Sequence, residues 1–210
     1  MKKHEIFDKM LSYKALAILR VDSIKRADEV ADALIRAELP VLEISYTNLD
    51  AGQSINYLKS KYKNNIICGA GTVLDEQAAF DATKNGADFI IAPNYNEKVA
   101  LVCNRYQIPY GPGCTSLSEA VEALTYGASF IKAFPISNFY GAKLVPVFKT
   151  PFPKLLLMAS GGINLDNLEH WLSAGVDLVA FGSLLSEGSG EDIYQHAKMI
   201  KSIIHKNTEG

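Results

Sequence analysis

Cysteine, clustered histidine and long hydrophobic runs are all scarce in this sequence. Its 210 residues include 3 Cys and 4 His, with no Cys-x-x-Cys pair and no group of neighbouring histidines. An odd number of isolated cysteines predicts reduced thiols and no disulfide framework. The histidines are scattered over predicted helices without the spacing of metal ligands, so we expect no metal site and no cofactor.

The apolar runs are too short for a membrane helix, which needs roughly 20 residues, so no membrane partner is expected. Charged residues interrupt the first apolar region, at Glu5, Asp8, Lys9 and Lys14. A secretory signal needs an uninterrupted apolar segment, and a cytoplasmic protein is therefore predicted.

Neither sign of charge is in large excess. The formal net charge is −2, and the chain contains no long basic run. Nucleic acid is not expected as a partner, because binding to a phosphate backbone needs clustered Lys and Arg. The 48% of hydrophobic and 21% of charged residues suit one globular domain, which is predicted to span 1–210.

Short β-branched or aliphatic runs alternate with helix-length amphipathic stretches along the chain. Near-continuous apolar strands indicate burial on both faces, as in a parallel sheet covered by helices. The predicted strands cover 15–21, 41–46, 65–71, 88–94, 109–114, 129–135, 154–160 and 178–183. The predicted helices cover 1–13, 26–37, 51–62, 76–85, 97–106, 117–126, 142–148, 165–174 and 193–204.

A weak internal repeat supports this succession. The segments 85–90, 126–131 and 174–179 each place a glycine between a helix end and a strand, and they recur about 40 to 50 residues apart. Eight strand–helix units are the number of a closed barrel, so the predicted fold is α/β, a (β/α)₈ TIM barrel with an extra N-terminal helix. The alternative is an open doubly wound sheet, but GAGTV at 69–73 lacks the spacing of its dinucleotide-binding loop.

Lys132 is the most informative polar residue, because barrel active sites lie at the carboxyl ends of the strands. Side chains alternate along a strand, so Lys132 shares a face with Phe130 and Phe134, and that face points into the barrel. Burial lowers the pKa of a lysine, and a neutral amine can attack a ketone to form an imine. The alternative is a strand lysine whose amine reaches solvent at the rim.

Glu43 follows the same logic on the second strand, where it shares a face with Val41 and Ser45. A carboxylate between apolar neighbours rarely lies in a core without a partner. Across a small barrel that partner is Lys132, and an inward lysine and glutamate must interact. Glu43 is therefore predicted to be a general base, or alternatively one half of a structural ion pair.

Two further polar residues end predicted strands. Arg20 ends the first strand, and its guanidinium offers a fork of donors to a carboxylate or a phosphate. Its alternative role is a surface cap of the strand. Thr72 ends the third strand, and its alternative role is the N-cap of the next helix.

Two glycine-rich turns follow the last two predicted strands, at Ser160-Gly161-Gly162 and Gly182-Ser183. This position is the common phosphate site of such barrels, where backbone N–H groups converge on an anion. The alternative is that each glycine merely permits a tight turn.

Six motifs occur in order along almost the whole chain: LEIS at 42–45, GAGTV at 69–73, GPGCTSLSEA at 111–120, FIKAFP at 130–135, SGGIN at 160–164 and FGSLL at 181–185. In these motifs the sequence resembles the 2-keto-3-deoxy-6-phosphogluconate aldolase family, whose members often also act on 4-hydroxy-2-oxoglutarate. The resemblance implies a barrel, a homotrimer and a metal-free Schiff-base aldolase with pyruvate as one product.

The resemblance also implies a role for individual residues. Lys132 would form the imine and Glu43 would be the general acid/base. Thr72 would contact the carboxylate end of the substrate, Phe134 would pack beside the imine, and the two glycine turns would hold the phosphate. The full set of predicted substrate-binding residues is Arg20, Thr72, Pro93, Phe134, Ser160, Gly161, Gly162, Gly182 and Ser183.

The chain departs from the family pattern at two places. After the glutamate, many members have an arginine where this chain has Thr47, and Arg20 is expected to supply that charge. After the fourth strand, the usual Ser-Pro-Gly is replaced by Ala92-Pro93-Asn94, and Asn94 is expected to keep the turn by adopting a positive φ.

The reaction implied is cleavage of 2-keto-3-deoxy-6-phosphogluconate to pyruvate and glyceraldehyde 3-phosphate. The close alternatives are the same chemistry on 2-keto-3-deoxy-6-phosphogalactonate or on 4-hydroxy-2-oxoglutarate. The distant alternatives are a phosphate-binding barrel isomerase and a non-catalytic sugar-phosphate binder.

Overall fold

The computed structural model describes residues 2–209, and the side chains of residues 2–207. Within this range nine strands form one parallel sheet, in the order β5-β4-β3-β2-β1-β9-β8-β7-β6. The strands are β1 (Ala15–Leu19), β2 (Val41–Ser45), β3 (Ile67–Gly71), β4 (Ile90–Ile91), β5 (Tyr110–Gly111), β6 (Gly113–Cys114), β7 (Ile131–Ala133), β8 (Leu157–Ser160) and β9 (Leu178–Phe181).

The barrel closes through Pro112. Strands β5 and β6 lie at opposite ends of the strand order, yet Pro112 alone separates them in sequence. The prediction of one unbroken strand over 109–114 is wrong in this detail, because proline has no N–H to donate to a neighbouring strand. Its carbonyl still accepts a hydrogen bond from the N–H of Lys132 at 2.9 Å. The predicted (β/α)₈ barrel is confirmed, with its fifth strand divided in two.

The helices fall between the strands as predicted, with shifted ends. The helices of the described range are α1 (Lys3–Tyr13), α2 (Ile24–Arg36), α3 (Ala51–Tyr62), α4 (Glu76–Lys84), α5 (Glu97–Tyr106), α6 (Leu117–Thr125), α7 (Ser137–Tyr140), α8 (Leu144–Lys149), α9 (Leu168–Ser173) and α10 (Gly190–Glu209). The short helix α7 was not predicted. Short 3₁₀ turns lie at Lys63–Asn65, Gly141–Lys143 and Ser183–Leu185. No helix of the described residues is long and apolar enough to cross a membrane.

The lumen is filled with apolar side chains, and helix α1 covers its amino end. Ile6 and Met10 of α1 are buried against the lumen residues, and the ring of Phe7 stacks on Phe130 at 5.5 Å between centroids. The strands, together with the residues just before β4 and β7, contribute Leu16, Ile18, Val41, Ile67, Phe89, Ile91, Phe130, Met158, Leu178 and Ala180. A second, larger apolar layer lies between the sheet and the surrounding helices. The carboxyl end of the barrel is therefore the end left for a binding site.

The internal repeat of the sequence corresponds to a repeated hydrogen bond. In each copy a glycine with φ near +87° follows the end of a helix, and the side chain two positions later accepts the backbone N–H of the first or second residue of a neighbouring strand. The three bonds join Asp88 to Cys68 at 2.9 Å, Ser129 to Tyr110 at 3.4 Å and Asp177 to Leu157 at 2.7 Å.

Candidate active site

Lys132 lies in the middle of β7 with its side chain in the lumen. It is 5% exposed, and its amine lies 4.7 Å from the ring centroid of Phe134. Burial lowers the pKa of the Lys132 ammonium group, the negative charge of Glu43 opposes this shift, and the positive charge of Arg20 adds to it. Within the described residues, the amine has no hydrogen-bond or ion-pair partner. Lys132 is therefore a buried amine, and its lowered pKa favours the neutral form.

Glu43 occupies the lumen side of β2 and is 1% exposed. Burial raises the pKa of its carboxyl group, while the positive charges of Lys132 and Arg20 oppose the shift. Its Oε2 has no hydrogen-bond partner in the described chain. Lys132 and Glu43 make no direct ion pair there, and each changes the pKa of the other through space. The expected interaction of the two groups is thus electrostatic, while burial raises the pKa of Glu43 and lowers the pKa of Lys132.

Glycines in the lumen leave room for these large side chains. A Cβ placed on Gly71 would overlap the carboxylate of Glu43, and a Cβ on Gly111 would overlap the ring of Phe130. Neither glycine has a positive φ, so space explains their presence and backbone conformation does not.

Three hydroxyl groups gather at the carboxyl ends of β2 and β3. The Ser45 hydroxyl donates to Thr72 Oγ1 at 3.0 Å and lies 2.8 Å from Thr47 Oγ1. Thr72 has a φ of 56° and is not the N-cap of α4, because Asp75 accepts the N–H of Ala78 there. The N-cap alternative for Thr72 is therefore wrong. Ser45 and Thr47 were not predicted as site residues, although Ser45 shares the face of Glu43 in the strand pattern.

Arg20 lies just beyond the end of β1 and is exposed. With Thr47, Ser23 and Ser54 it lines a cavity of about 410 Å³ between the ends of β1 and β2. Its guanidinium makes no hydrogen bond within the described residues. Its positive charge affects the pKa values of Glu43 and Lys132 in the lumen. Its N–H donors are available to an anion in this cavity.

The two glycine turns meet at one cavity, as their positions predicted. Gly161 and Gly162 have φ values of 94° and 68°, which favour glycine, and with Gly182 and Ser183 they line a space of about 330 Å³. Ser160 precedes this turn and is 3% exposed.

Helix α7 holds the first glycine turn in place. The Ser137 hydroxyl donates to the carbonyl of Ser160, and the side chain of Asn138 lies where a Cβ on Gly161 would be. Because α7 follows Phe134 and Pro135 directly, it joins the end of the Lys132 strand to the glycine turn. Ser137 and Asn138 were not predicted as site residues, since a four-residue helix has no detectable period.

The remaining predicted residues lie at the same rim. Phe134 is partly buried beside the amine of Lys132, and the peptide bond between Phe134 and Pro135 is cis. The carbonyl of Pro93 lies against Gly113, where any Cβ would overlap it. Asn94 does not have a positive φ, so the expectation for its turn is wrong; the segment bends there, and the Asn94 amide donates to the Tyr95 carbonyl at 3.1 Å.

The described side chains include no group of three or more His, Cys, Asp or Glu residues that could hold a metal ion. The arrangement brings an amine and a carboxyl group into one lumen, with two cavities for polar or anionic groups at the rim.

Comparison with known proteins agrees with this geometry. A family model described as KDPG and KHG aldolase matches residues 6–200. A 2-dehydro-3-deoxy-phosphogluconate aldolase of Treponema pallidum is 28% identical over 178 residues, covering 85% of this chain and 84% of that protein. A solved structure described as native KDPGal has a TM-score of 0.88 and 28% identity, covering 93% of this chain and 96% of that one.

A KDPG aldolase of Legionella pneumophila, solved with pyruvate captured at low pH as a covalent carbinolamine intermediate, has a TM-score of 0.81 and 26% identity. The alignment covers 97% of this chain and 96% of that one. Because the family model spans nearly all of the barrel, this chain belongs to the KDPG and KHG aldolase family.

Proposed function

We propose that the protein is a class I aldolase that cleaves 2-keto-3-deoxy-6-phosphogluconate to pyruvate and glyceraldehyde 3-phosphate. The observation that carries the proposal is the buried amine of Lys132, whose pKa is lowered by burial, because a lowered pKa favours the neutral, nucleophilic form. The carbinolamine of pyruvate in the Legionella pneumophila relative supports the same covalent chemistry.

The reaction begins when the neutral Lys132 amine attacks the C2 ketone. The resulting carbinolamine takes up a proton on its hydroxyl group and loses water to give an iminium ion, and this proton is released again when the iminium is hydrolysed to the free amine. Glu43, as a carboxylate, then takes the proton of the C4 hydroxyl while the C3–C4 bond breaks, and the electron pair of that bond moves to the iminium as an enamine. The aldehyde leaves, Glu43 returns a proton to C3, and hydrolysis of the imine releases pyruvate and the free amine.

The raised pKa of Glu43 suits this alternation of roles. Burial raises the pKa of this carboxyl group, so its carboxylate is a stronger base and holds the accepted proton until C3 takes it. The absence of a hydrogen-bond partner on Oε2 leaves that oxygen available to the C4 hydroxyl. In this scheme the Lys132–Glu43 pair is catalytic, and the alternative of a purely structural ion pair is disfavoured because no direct ion pair forms.

The substrate has two anionic ends, and the rim has two cavities. The glycine cavity offers neutral backbone donors and the Ser183 hydroxyl, which suit the phosphate. The neighbouring cavity offers the guanidinium of Arg20, which suits the carboxylate, with Thr47 and Thr72 supplying hydroxyl groups nearby.

The same chemistry on 2-keto-3-deoxy-6-phosphogalactonate is the second candidate, favoured by the likeness to the native KDPGal structure. The two acids differ in configuration at C4, beside Glu43 in the scheme above. A pyruvate-release assay with both acids, with their unphosphorylated forms and with 4-hydroxy-2-oxoglutarate tests the proposal. The highest kcat/KM is expected for a phosphorylated six-carbon acid, and no pyruvate release from any of them would contradict it.

We also propose that the reaction needs no metal ion, since the imine supplies the electron sink that a class II aldolase takes from zinc. Activity should survive EDTA, and loss of activity that a divalent ion restores would contradict this.

The homotrimer and the cytoplasmic location stay predictions from the resemblance and from the sequence. Borohydride reduction in the presence of pyruvate distinguishes the aldolase from a barrel isomerase, because only an imine is reduced to a stable adduct. Measurable turnover distinguishes it from a non-catalytic binder.

A further inference from the structure

Arg26, on the first turn of α2, joins that helix to the loop that follows β9. Its guanidinium donates to the carbonyl oxygens of Ser186 at 3.0 Å and Gly188 at 2.6 Å. The same group pairs with Glu29 at 2.7 Å, and Glu29 in turn accepts the backbone N–H of Gly190 at 3.0 Å. One arginine and its partner carboxylate therefore hold three backbone groups about 160 residues away in sequence.

The rest of this loop is also held by its carbonyl oxygens. The Ser186 hydroxyl donates to the carbonyl of Gly182 at 3.0 Å, and His196 Nδ1 lies 3.0 Å from the carbonyl of Leu184. Because a carbonyl only accepts, His196 must carry its proton on Nδ1 there. Four carbonyl groups between Gly182 and Gly190 are thus hydrogen-bonded to side chains, and the first residues of this loop line the 330 Å³ cavity.

We propose that Arg26 is a positioning residue for the phosphate subsite. It does not line the 330 Å³ cavity, and it fixes the loop whose first residues do. This inference rests on the proposed function, which assigns that cavity to the substrate phosphate. A site that binds an anion through backbone N–H groups loses affinity when those groups must be ordered at the moment of binding. The hydrogen bonds of the Arg26 guanidinium keep these groups ordered in the free protein.

The proposal is specific to a guanidinium. Lysine would keep the positive charge, but it cannot span Glu29 and two carbonyl oxygens with a planar fork. Arg36, on the same helix, provides a matched control. It pairs with Asp32 at 3.0 Å and with Glu191 of α10 at 3.8 Å, and it lies over the ring of Tyr194. None of these contacts is with residues 182–190.

The test compares Arg26→Ala, Arg26→Lys and Arg36→Ala in the full chain, with inorganic phosphate as a competitive inhibitor and phosphorylated and unphosphorylated acids as substrates. For both Arg26 variants we expect the inhibition constant of phosphate and the KM of phosphorylated acids to rise at least about fivefold, a figure for losing charge-assisted hydrogen bonds. The KM of unphosphorylated acids and the exchange of pyruvate methyl protons should change less than about twofold. Hydrogen exchange at 183–190 should accelerate in the Arg26 variants and stay unchanged in Arg36→Ala.

Three results would overturn the proposal. Arg26→Lys could behave as the wild type while Arg26→Ala does not, which would show that only the positive charge of Arg26 matters and not the geometry of its guanidinium. Both Arg26 variants could lose activity equally on all substrates, which would make the role general stability. Phosphate binding could also be unaffected in both.

Ser183→Ala separates this inference from the proposed function. If Ser183→Ala weakens phosphate binding and the Arg26 variants do not, the inference fails and the phosphate assignment stands. If neither position affects phosphate binding, the assignment of the cavity fails and the inference fails with it.

Discussion

The carboxylate of Glu43 occupies the space that a side chain at position 71 would need. Gly71 ends β3, beside the strand that carries Glu43, and a Cβ added there would overlap Oε1. The backbone of Gly71 is not in the left-handed region, so alanine is conformationally possible at this position. A single methyl group is therefore a probe of where the carboxylate must lie.

Gly71→Ala should slow proton transfer while leaving imine formation largely intact, because it displaces the carboxylate and not the amine. Exchange of the pyruvate methyl protons with deuterated water should fall at least about tenfold, within the range of a positioned general base. Glu43→Gln should have a similar effect. In the double variant the two effects should not add, since both act through one carboxylate. Additive losses would show that Gly71 acts independently of Glu43.

The pH dependence of imine trapping should respond to both charges that surround Lys132. The negative charge of Glu43 raises the pKa of Lys132, and the positive charge of Arg20 lowers it. The acid limb of trapping by pyruvate and cyanoborohydride should therefore move to lower pH in Glu43→Gln and to higher pH in Arg20→Ala. The Arg20 effect should shrink in high salt because Arg20 is exposed. Shifts in the same direction for both variants would contradict the electrostatic account.

Arg20 and Ser183 should divide the two anionic ends of the substrate between them. A charge-assisted hydrogen bond is worth about 1.5–3 kcal/mol, so Arg20→Ala should lower kcat/KM roughly 10–150-fold. This loss should be similar for phosphorylated and unphosphorylated acids, since both carry the carboxylate. Ser183→Ala should affect only the phosphorylated ones. An Arg20 loss confined to phosphorylated acids would reverse the assignment of the two cavities.

Asp177 should contribute more to stability than an exposed aspartate with a similar ion pair. Its Oδ2 accepts the N–H of buried Leu157 and pairs with Lys149, both at 2.7 Å. Asp177→Ala leaves that N–H unsatisfied, which should lower the free energy of unfolding by about 1–3 kcal/mol. Asp32→Ala, which breaks an exposed pair with Arg36, should cost about 0–1 kcal/mol. Urea denaturation of both variants checks this. Equal losses of unfolding free energy would show that the hydrogen bond between Asp177 and Leu157 adds nothing to the ion pair.

Much of the fold could be predicted from the sequence because the barrel strands are buried on both faces. Near-continuous apolar runs mark most of the eight strand positions, and glycines at 86, 127 and 175 mark the turns that precede three of them. The break at Pro112 was missed because the segment 109–114 contains two prolines and two glycines, and only the pairing with the neighbouring strands shows which residue interrupts it. Similarly, an asparagine such as Asn94 tolerates a positive φ, but only the tertiary packing decides whether the turn needs one.

The centre of the site was predictable for the same reason. Alternation along a strand places Lys132 and Glu43 on the lumen face, where burial shifts both pKa values. Residues that act through the backbone of distant segments leave no such signal. Ser137 and Arg26 donate to carbonyl groups 23 and 160 or more positions away, and any sequence in those segments supplies a carbonyl.

The central claim is that Lys132 forms an imine with the C2 carbonyl of the substrate. The most direct measurement is the mass of the protein after incubation with pyruvate and borohydride, followed by peptide mapping, with Lys132→Ala as the control. We expect one reduced pyruvate per chain, on the peptide that contains Lys132, and no adduct and no pyruvate release in the variant. An unmodified wild-type protein, an adduct on another lysine, or a Lys132→Ala variant that keeps its turnover would contradict the account.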